Sequence, residues 1–174
     1  RSHSAPGYLQ PQSAALELYA QLLSCGYLWQ ELRLKNGAYG VSCRYSPLQG
    51  ILSLQSSEDP NPQHSRSIFD RLKLDTAVNS WSKQDIDDAI IACSRDSARP
   101  WCPAETAKTA LLHRLCGIDE AARQERRDAL LQQSPQSMKA AIQEFWQNYA
   151  VQYNDCLIGE AGKAKKMRLQ ALQI

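Results

Sequence analysis

The stretch Tyr27-Leu-Trp-Gln-Glu-Leu-Arg-Leu-Lys-Asn-Gly-Ala-Tyr-Gly40 decides how this chain is read. Leu28, Trp29 and Leu32 recur at helical spacing, and Asn36-Gly37 is a helix-stop or turn signal. From Ala38 the period changes. Tyr39, Val41, Cys43 and Tyr45 fall on one face of a strand, with Gly40, Ser42 and Arg44 on the other. A helix therefore hands over to a strand through one glycine turn, which sets Arg33 and Tyr39 on its two sides.

Upstream, Leu16, Tyr19, Ala20, Leu23 and Tyr27 form an apolar stripe that predicts a helix from about Ser13. Gly26 weakens it, leaving one kinked helix or two short ones that end near Lys35. Residues 1–12 read as an irregular lead, broken by Pro6, Gly7 and Pro11. Downstream, Ser46-Pro-Leu-Gln-Gly50 is a turn, and Ile51–Ser57 returns as the partner strand of a hairpin. Helices are expected from about Pro62 to Leu74, from a Ser82-Lys-Gln-Asp85 capping box to about Arg95, and from Ala104 to Leu115. Further helices are expected from an Asp119 cap to about Gln133 and from Ser134-Pro135 onward. A last strand over 150–158 and a short terminal helix with Met167, Leu169 and Leu172 complete the order. Clustered strands predict an α+β fold: an antiparallel sheet with helices packed on one face, lacking its first strands, which are expected upstream of Arg1. The last strand is expected to join the hairpin, because a lone hairpin is unstable.

A chain of 174 residues is one domain, or a large part of one. Its net charge of +2 is too small to imply nucleic acid or a membrane surface, and no apolar run reaches the ~20 residues a membrane helix needs. No two of the six cysteines are separated by only two residues, and several, such as Cys93, sit where core faces are expected, which favours buried free thiols and a reducing intracellular compartment or organelle. Their even number leaves disulfides open. No signal-peptide pattern opens the chain.

Chemistry-bearing motifs are few. His3, His64 and His113 do not pair at metal-ligand spacing, so no metal site is assigned and no cofactor is expected in this chain. No Gly-x-Ser-x-Gly or phosphate loop occurs. Lys163, Lys165, Lys166 and Arg168 read as a solvated helix face rather than a nucleic-acid contact, and Asp85, Asp87 and Asp88 as helix N-terminal acids. Arg33 and Tyr39 remain. Structurally, they are a cation complementing a helix end and a strand aromatic. Functionally, they are two hydrogen-bond donors suited to a peptide carbonyl that gains negative charge. Gly37 and Gly40 would leave room for a substrate backbone.

A resemblance bears on that choice. Leu22-Leu-Ser-Cys-Gly-Tyr-Leu-Trp-Gln-Glu-Leu-Arg-Leu-Lys-Asn-Gly-Ala-Tyr-Gly40, then Ser57-Glu-Asp-Pro-Asn61, then Leu115-Cys-Gly-Ile-Asp-Glu-Ala-Ala-Arg-Gln-Glu-Arg-Arg127, resemble the carboxy-terminal half of presequence-protease-type enzymes. These belong to the insulinase and pitrilysin group of zinc metallopeptidases. The resemblance implies the last domain of a two-halved peptidase that encloses peptides in a chamber. The amino-terminal half would be its partner and would carry the zinc through an inverted His-x-x-Glu-His motif. The carboxy-terminal half would supply an arginine and a tyrosine to the active site, at positions matching Arg33 and Tyr39. Asn36 stands where the family pattern has glycine, a substitution a left-handed turn tolerates. The hairpin edge could align an extended peptide by strand addition. The alternative reading is a non-catalytic peptide-binding or assembly subunit with the same fold.

Overall fold

The computed structural model describes residues 1–73, 80–97, 102–159 and 167. The antiparallel sheet has four strands, β1 (Ser2–Ser4), β2 (Gly40–Ser46), β3 (Ile51–Ser57) and β4 (Tyr153–Asn154), in the order β2-β3-β1-β4. Among the described residues six α-helices accompany it: α1 (Ser13–Leu22), α2 (Pro62–Arg71), α3 (Lys83–Ser97), α4 (Pro103–Leu115), α5 (Glu120–Leu131) and α6 (Pro135–Glu144). The fold is α+β, as the clustered strands implied.

Helix α1 buries Ala14, Ala15, Leu16, Leu18, Tyr19 and Ala20. The run does not break at Gly26. It continues as two wide π-helical segments, π1 (Leu23–Tyr27) and π2 (Trp29–Leu34). Leu28 N donates to Leu23 O, and Lys35 N to Gln30 O, the i→i+5 pattern of such segments. Leu23, Leu28 and Leu32 stay fully buried, so the change of pitch keeps the apolar stripe on the core. Each such leucine contributes about 1.5–3 kcal/mol through its burial.

The hairpin pairs in register from Gly40↔Ser57 to Ser46↔Ile51. Cys43, Leu52 and Leu54 are buried while Arg44, Ile51 and Gln55 are exposed, the alternation of a sheet covered on one face. Tyr39 departs from the expected strand face: it precedes β2 and is exposed.

Two expectations about the sheet need correction. Residues 1–12 are not all irregular, because Ser2–Ser4 form β1, an inner strand between β3 and β4. Ser-His-Ser has no apolar alternation; pairing on both sides makes it a strand. His3 is its core residue, 3% exposed, packed against the rings of Phe145, Trp146 and Tyr153. Burial, aided by the nearby Arg1 charge, pushes its pKa down to about 4. The strand expected over 150–158 is also only two residues long, Tyr153–Asn154.

The helix starts follow their caps. Ser82 and Asp85 bond reciprocally, Asp85 N to Ser82 Oγ at 3.2 Å and Ser82 N to Asp85 Oδ2 at 2.8 Å. Asp119 accepts from Ala122 N at 2.8 Å, and Ser134 forms a capping box with Ser137. Arg126, within the charge-rich run Arg123-Gln-Glu-Arg-Arg-Asp128, turns inward. It pairs with Glu17 at 2.5 Å and donates to Ser13 Oγ at 3.0 Å, fastening α5 to α1. Helix α6 runs on into a third π segment, π3 (Phe145–Tyr149), whose Trp146 donates to the Tyr19 hydroxyl at 3.2 Å. All six cysteines are free, but only Cys43 and Cys93 are buried, so the expectation of buried thiols fails for the other four. The expected terminal helix lies outside the described residues apart from Met167, which is buried and accepts from Arg66 at 2.9 Å. The end of the second expected helix, at Leu74, also lies outside them.

Candidate functional site

Arg33 ends π2 and Tyr39 precedes β2, so the change from helix to strand brings them together. The guanidinium carbon of Arg33 lies 4.2 Å from the Trp29 ring centroid and 5.6 Å from that of Tyr39. A cation held between two aromatic faces keeps its orientation without losing its charge. Among the described residues no carboxylate forms an ion pair with Arg33. Tyr39 is 66% exposed and Trp29 38%. The cluster is thus open to solvent and presents one guanidinium and one phenol.

The turn between them is closed by two backbone bonds, Gly37 N to Arg33 O at 3.2 Å and Ala38 N to Leu32 O at 2.9 Å. Gly37 takes φ 77°, where a side chain is strained. Tyr39 N donates to Ser57 O at 3.1 Å, which ties the tyrosine backbone to the hairpin. At Gly40 the close neighbour is internal: an added Cβ would overlap Ser57 Oγ, its cross-strand partner. The space left by Gly40 is therefore filled by the hairpin itself, while Gly37 is exposed at the rim of a groove.

That groove, of about 970 Å³, runs along Ser53–Ser57 of β3 between Gly37 and the 154–159 segment. Neither Arg33 nor Tyr39 lines it. Arg1 and Arg66 stand on its wall and share the Asp155 carboxylate, each at 2.8 Å. Burial alone would raise the Asp155 carboxyl, but the hydrogen bond and charge of Arg1, with the charge of Arg66, hold it below the usual carboxylate range.

The outer edge of the hairpin is not free along its length. Ser24 Oγ accepts from Cys43 N at 2.7 Å and lies 2.9 Å from Cys43 O. A π1 side chain thereby takes the place of a neighbouring strand at mid-β2. Strand addition by a peptide along that edge, expected from the sequence, is blocked there. The segment Ser24-Cys25-Gly26 gave no sign of this, because the contact depends on where the helix crosses the sheet.

Trp29 is the member of the cluster that sequence reasoning missed as a site residue. A signal was available: it precedes Arg33 by four positions, which puts the two on one helical flank. The histidines do not converge. His3 is buried, His64 is exposed, and His113 lies against Tyr8 with ring centroids 5.7 Å apart. Among the described residues no three His, Cys, Asp or Glu side chains gather as a metal-binding set. None of the helices among them is long and apolar enough to cross a membrane.

Comparison with known proteins bears on the chain as a whole. The family profile described as "PreP C-terminal domain" matches residues 4–147. The mitochondrial presequence protease of Schizosaccharomyces pombe is 32% identical over 152 residues, covering 86% of this chain and 15% of that protein. The corresponding protein of Aspergillus oryzae is 28% identical over 153 residues, covering 88% of this chain and 14% of its own length. The chain thus spans about one seventh of the curated relatives it matches. Among solved structures, a peptidase M16 inactive domain from Pseudomonas fluorescens superposes with a TM-score of 0.61 at 18% identity, over 82% of this chain and 36% of that one. A protease from Helicobacter pylori gives a TM-score of 0.61 at 14% identity, over 85% of this chain and 37% of that one. At such identities the two structures speak for the fold alone.

Proposed function

The chain belongs to the PreP C-terminal domain family, and from that premise we propose that it serves as the substrate-binding, non-zinc-binding domain of a metalloendopeptidase that degrades peptides. The observation that carries the reading is the open cluster of Arg33, Trp29 and Tyr39, with a guanidinium that no internal carboxylate among the described residues neutralises.

In this reading Arg33 donates charge-assisted hydrogen bonds to the backbone carbonyls of a bound peptide and fixes its position. The Tyr39 hydroxyl donates to the scissile carbonyl oxygen as negative charge builds on it, an interaction type worth about 3 kcal/mol in a transition state. Trp29, with its ring centroid 4.2 Å from the guanidinium carbon, steadies the orientation of the donors. Gly37 keeps the turn clear of a side chain on the substrate side, and Gly40 lets the hairpin close behind Tyr39. Among the described residues no set of side chains fits a zinc site; in this reading the zinc that the resemblance implies is carried by the amino-terminal half, the proposed partner. The relatives carry mitochondrial names, and four exposed free cysteines suit an organelle or another reducing compartment.

The test is Tyr39→Phe in the intact protein that carries this domain. Hydrolysis of a quenched fluorescent peptide is followed together with bound zinc. The expected result is a fall in kcat of about 100-fold with zinc content unchanged. Unchanged turnover removes Tyr39 from the chemistry. Peptide binding without any hydrolysis by the wild-type protein moves the reading to a non-catalytic binding subunit.

A further inference from the structure

The Glu58-Asp-Pro-Asn61 segment follows the hairpin, and its side chains are not part of the cluster described above. Its centre is Asp59. Oδ2 of Asp59 accepts from Ser56 Oγ at 2.7 Å and from Ser65 Oγ at 2.5 Å. Oδ1 accepts from Asn61 N at 2.9 Å and, over a longer 3.5 Å, from Asn36 Nδ2. Asn36 Nδ2 also donates to Ser65 Oγ at 3.3 Å. The turn therefore reaches Asp59 by a long direct contact and by a tighter relay through Ser65, which is 1% exposed. All four neighbours are donors, so only an acceptor-only group satisfies them together.

Beside it, Glu58 takes φ 46°, the single non-glycine residue with positive φ among the described residues. Such a conformation persists only where its surroundings over-determine it. Two restraints flank Glu58. On one side Ser57 pairs with Gly40 and accepts from Tyr39 N. On the other, Asp59 gathers four donors.

The geometry points to Asp59 as a positioning residue for peptide hydrolysis: through Asn36 and Ser65 it holds the Asn36-Gly37 turn, and so the placement of Arg33 against Tyr39. Asp59 touches no substrate. The inference rests on the proposed roles of Arg33 and Tyr39. It adds a part of the fold, the first turn after the hairpin, that those roles do not themselves require.

The experiment uses the intact protein and four variants: Asp59→Asn, Asn36→Ala, Tyr39→Phe and the double variant Asp59→Asn/Tyr39→Phe. Steady-state kinetics, bound zinc and Tm are measured for each. Asp59→Asn should lower kcat about 10-fold with zinc unchanged, the scale expected when donors are displaced by a fraction of an ångström. Asn36→Ala leaves the other three bonds of Asp59 in place and should lower kcat several-fold, about 3-fold or more, with Tm unaltered. In the Tyr39→Phe background Asp59→Asn should cost less than about 3-fold, because it acts through a donor already lost. An equal loss in both backgrounds means that Asp59 only stabilises the loop, and overturns the inference. Full activity in Asn36→Ala overturns it too, and that variant decides the matter if Asp59→Asn does not fold. A loss in Tyr39→Phe with none in the other single variants sinks the positioning role alone. No loss in Tyr39→Phe sinks the reading beneath it.

Discussion

Arg33 and Arg126 both sit over an aromatic ring, Arg33 over Trp29 at 4.2 Å and Arg126 over Tyr8 at 4.8 Å. There the likeness ends. Arg126 pairs with Glu17 and donates to Ser13, whose oxygen lies 3.0 Å from the Tyr45 hydroxyl. Its charge is neutralised inside the fold and ties α5, α1 and β2 into one body. Arg33 has two aromatic faces and, among the described residues, no carboxylate. A charge without an internal counter-ion adds little to stability, and it is available to a ligand. In the proposed reading one arginine holds the fold and the other holds a peptide outside it.

Substituting the two arginines in the intact protein is the most direct way to break that contrast. Arg33→Met should reduce kcat/KM for peptides by about 100-fold, close to 3 kcal/mol, the scale of charge-assisted hydrogen bonds lost in a low-dielectric site. Its Tm should stay within about 2 °C of the parent, since a half-buried charge with no internal counter-ion among the described residues contributes little. A fall in Tm with activity retained would reverse the assignment of roles.

Acid should act on the closed region on a similar scale. His3 packs in the core with its pKa near 4, below the ordinary value of 6.5. Above pH 6.5 both folded and unfolded chains leave it neutral. As pH falls from there towards 4 the unfolded chain binds the proton and the folded chain does not, so stability is lost by on the order of 3 kcal/mol. Chemical denaturation at pH 7 and pH 5 should show about 2 kcal/mol of this loss, and His3→Leu should flatten that pH dependence. A wild-type profile flat between those values contradicts a neutral buried imidazole.

Arg126→Met comes next. It leaves Glu17 partly buried without its partner, which should destabilise by about 2 kcal/mol. Turnover per folded molecule should not change, and a specific loss of kcat would place Arg126 with the site. Trp29→Ala frees the Arg33 guanidinium and should raise KM about 5-fold, for a cation–π contact of ~1 kcal/mol, with Trp29→Phe largely preserving it. An equal rise in both variants would show that the indole contacts substrate in its own right. Smallest is Ser24→Ala, which unseals the β2 edge at Cys43. A loss of about 1 kcal/mol in denaturant unfolding is expected, and no loss would mean that water replaces the hydroxyl.

Periodic elements were legible because their signals are local. The stripe of Leu16, Tyr19 and Leu23, the Val41–Cys43–Tyr45 alternation and the caps at Ser82, Asp119 and Ser134 each act within a few residues. The turn that sets Arg33 beside Tyr39 was legible for the same reason, while the family resemblance only favoured the functional one of their two readings. What was missed is non-local. Ser2–Ser4 is a strand because β3 and β4 flank it, Arg126 turns inward because Glu17 and Ser13 lie opposite, and Ser24 caps an edge that the helix happens to cross. Trp29 was read as part of an apolar stripe because sequence spacing does not show which side of a helix meets a guanidinium.

By itself the sequence determined where the hairpin and most helices begin and end within a few residues, and that one turn separates a cation from a phenol. Hydrophobic period, capping side chains and glycine φ preferences act along the chain and need no partner. The tertiary structure alone decided which charges are neutralised, which sheet edge is closed and that Trp29 backs Arg33. Those outcomes depend on residues far apart in sequence coming within a hydrogen bond's reach, and no local period encodes that distance.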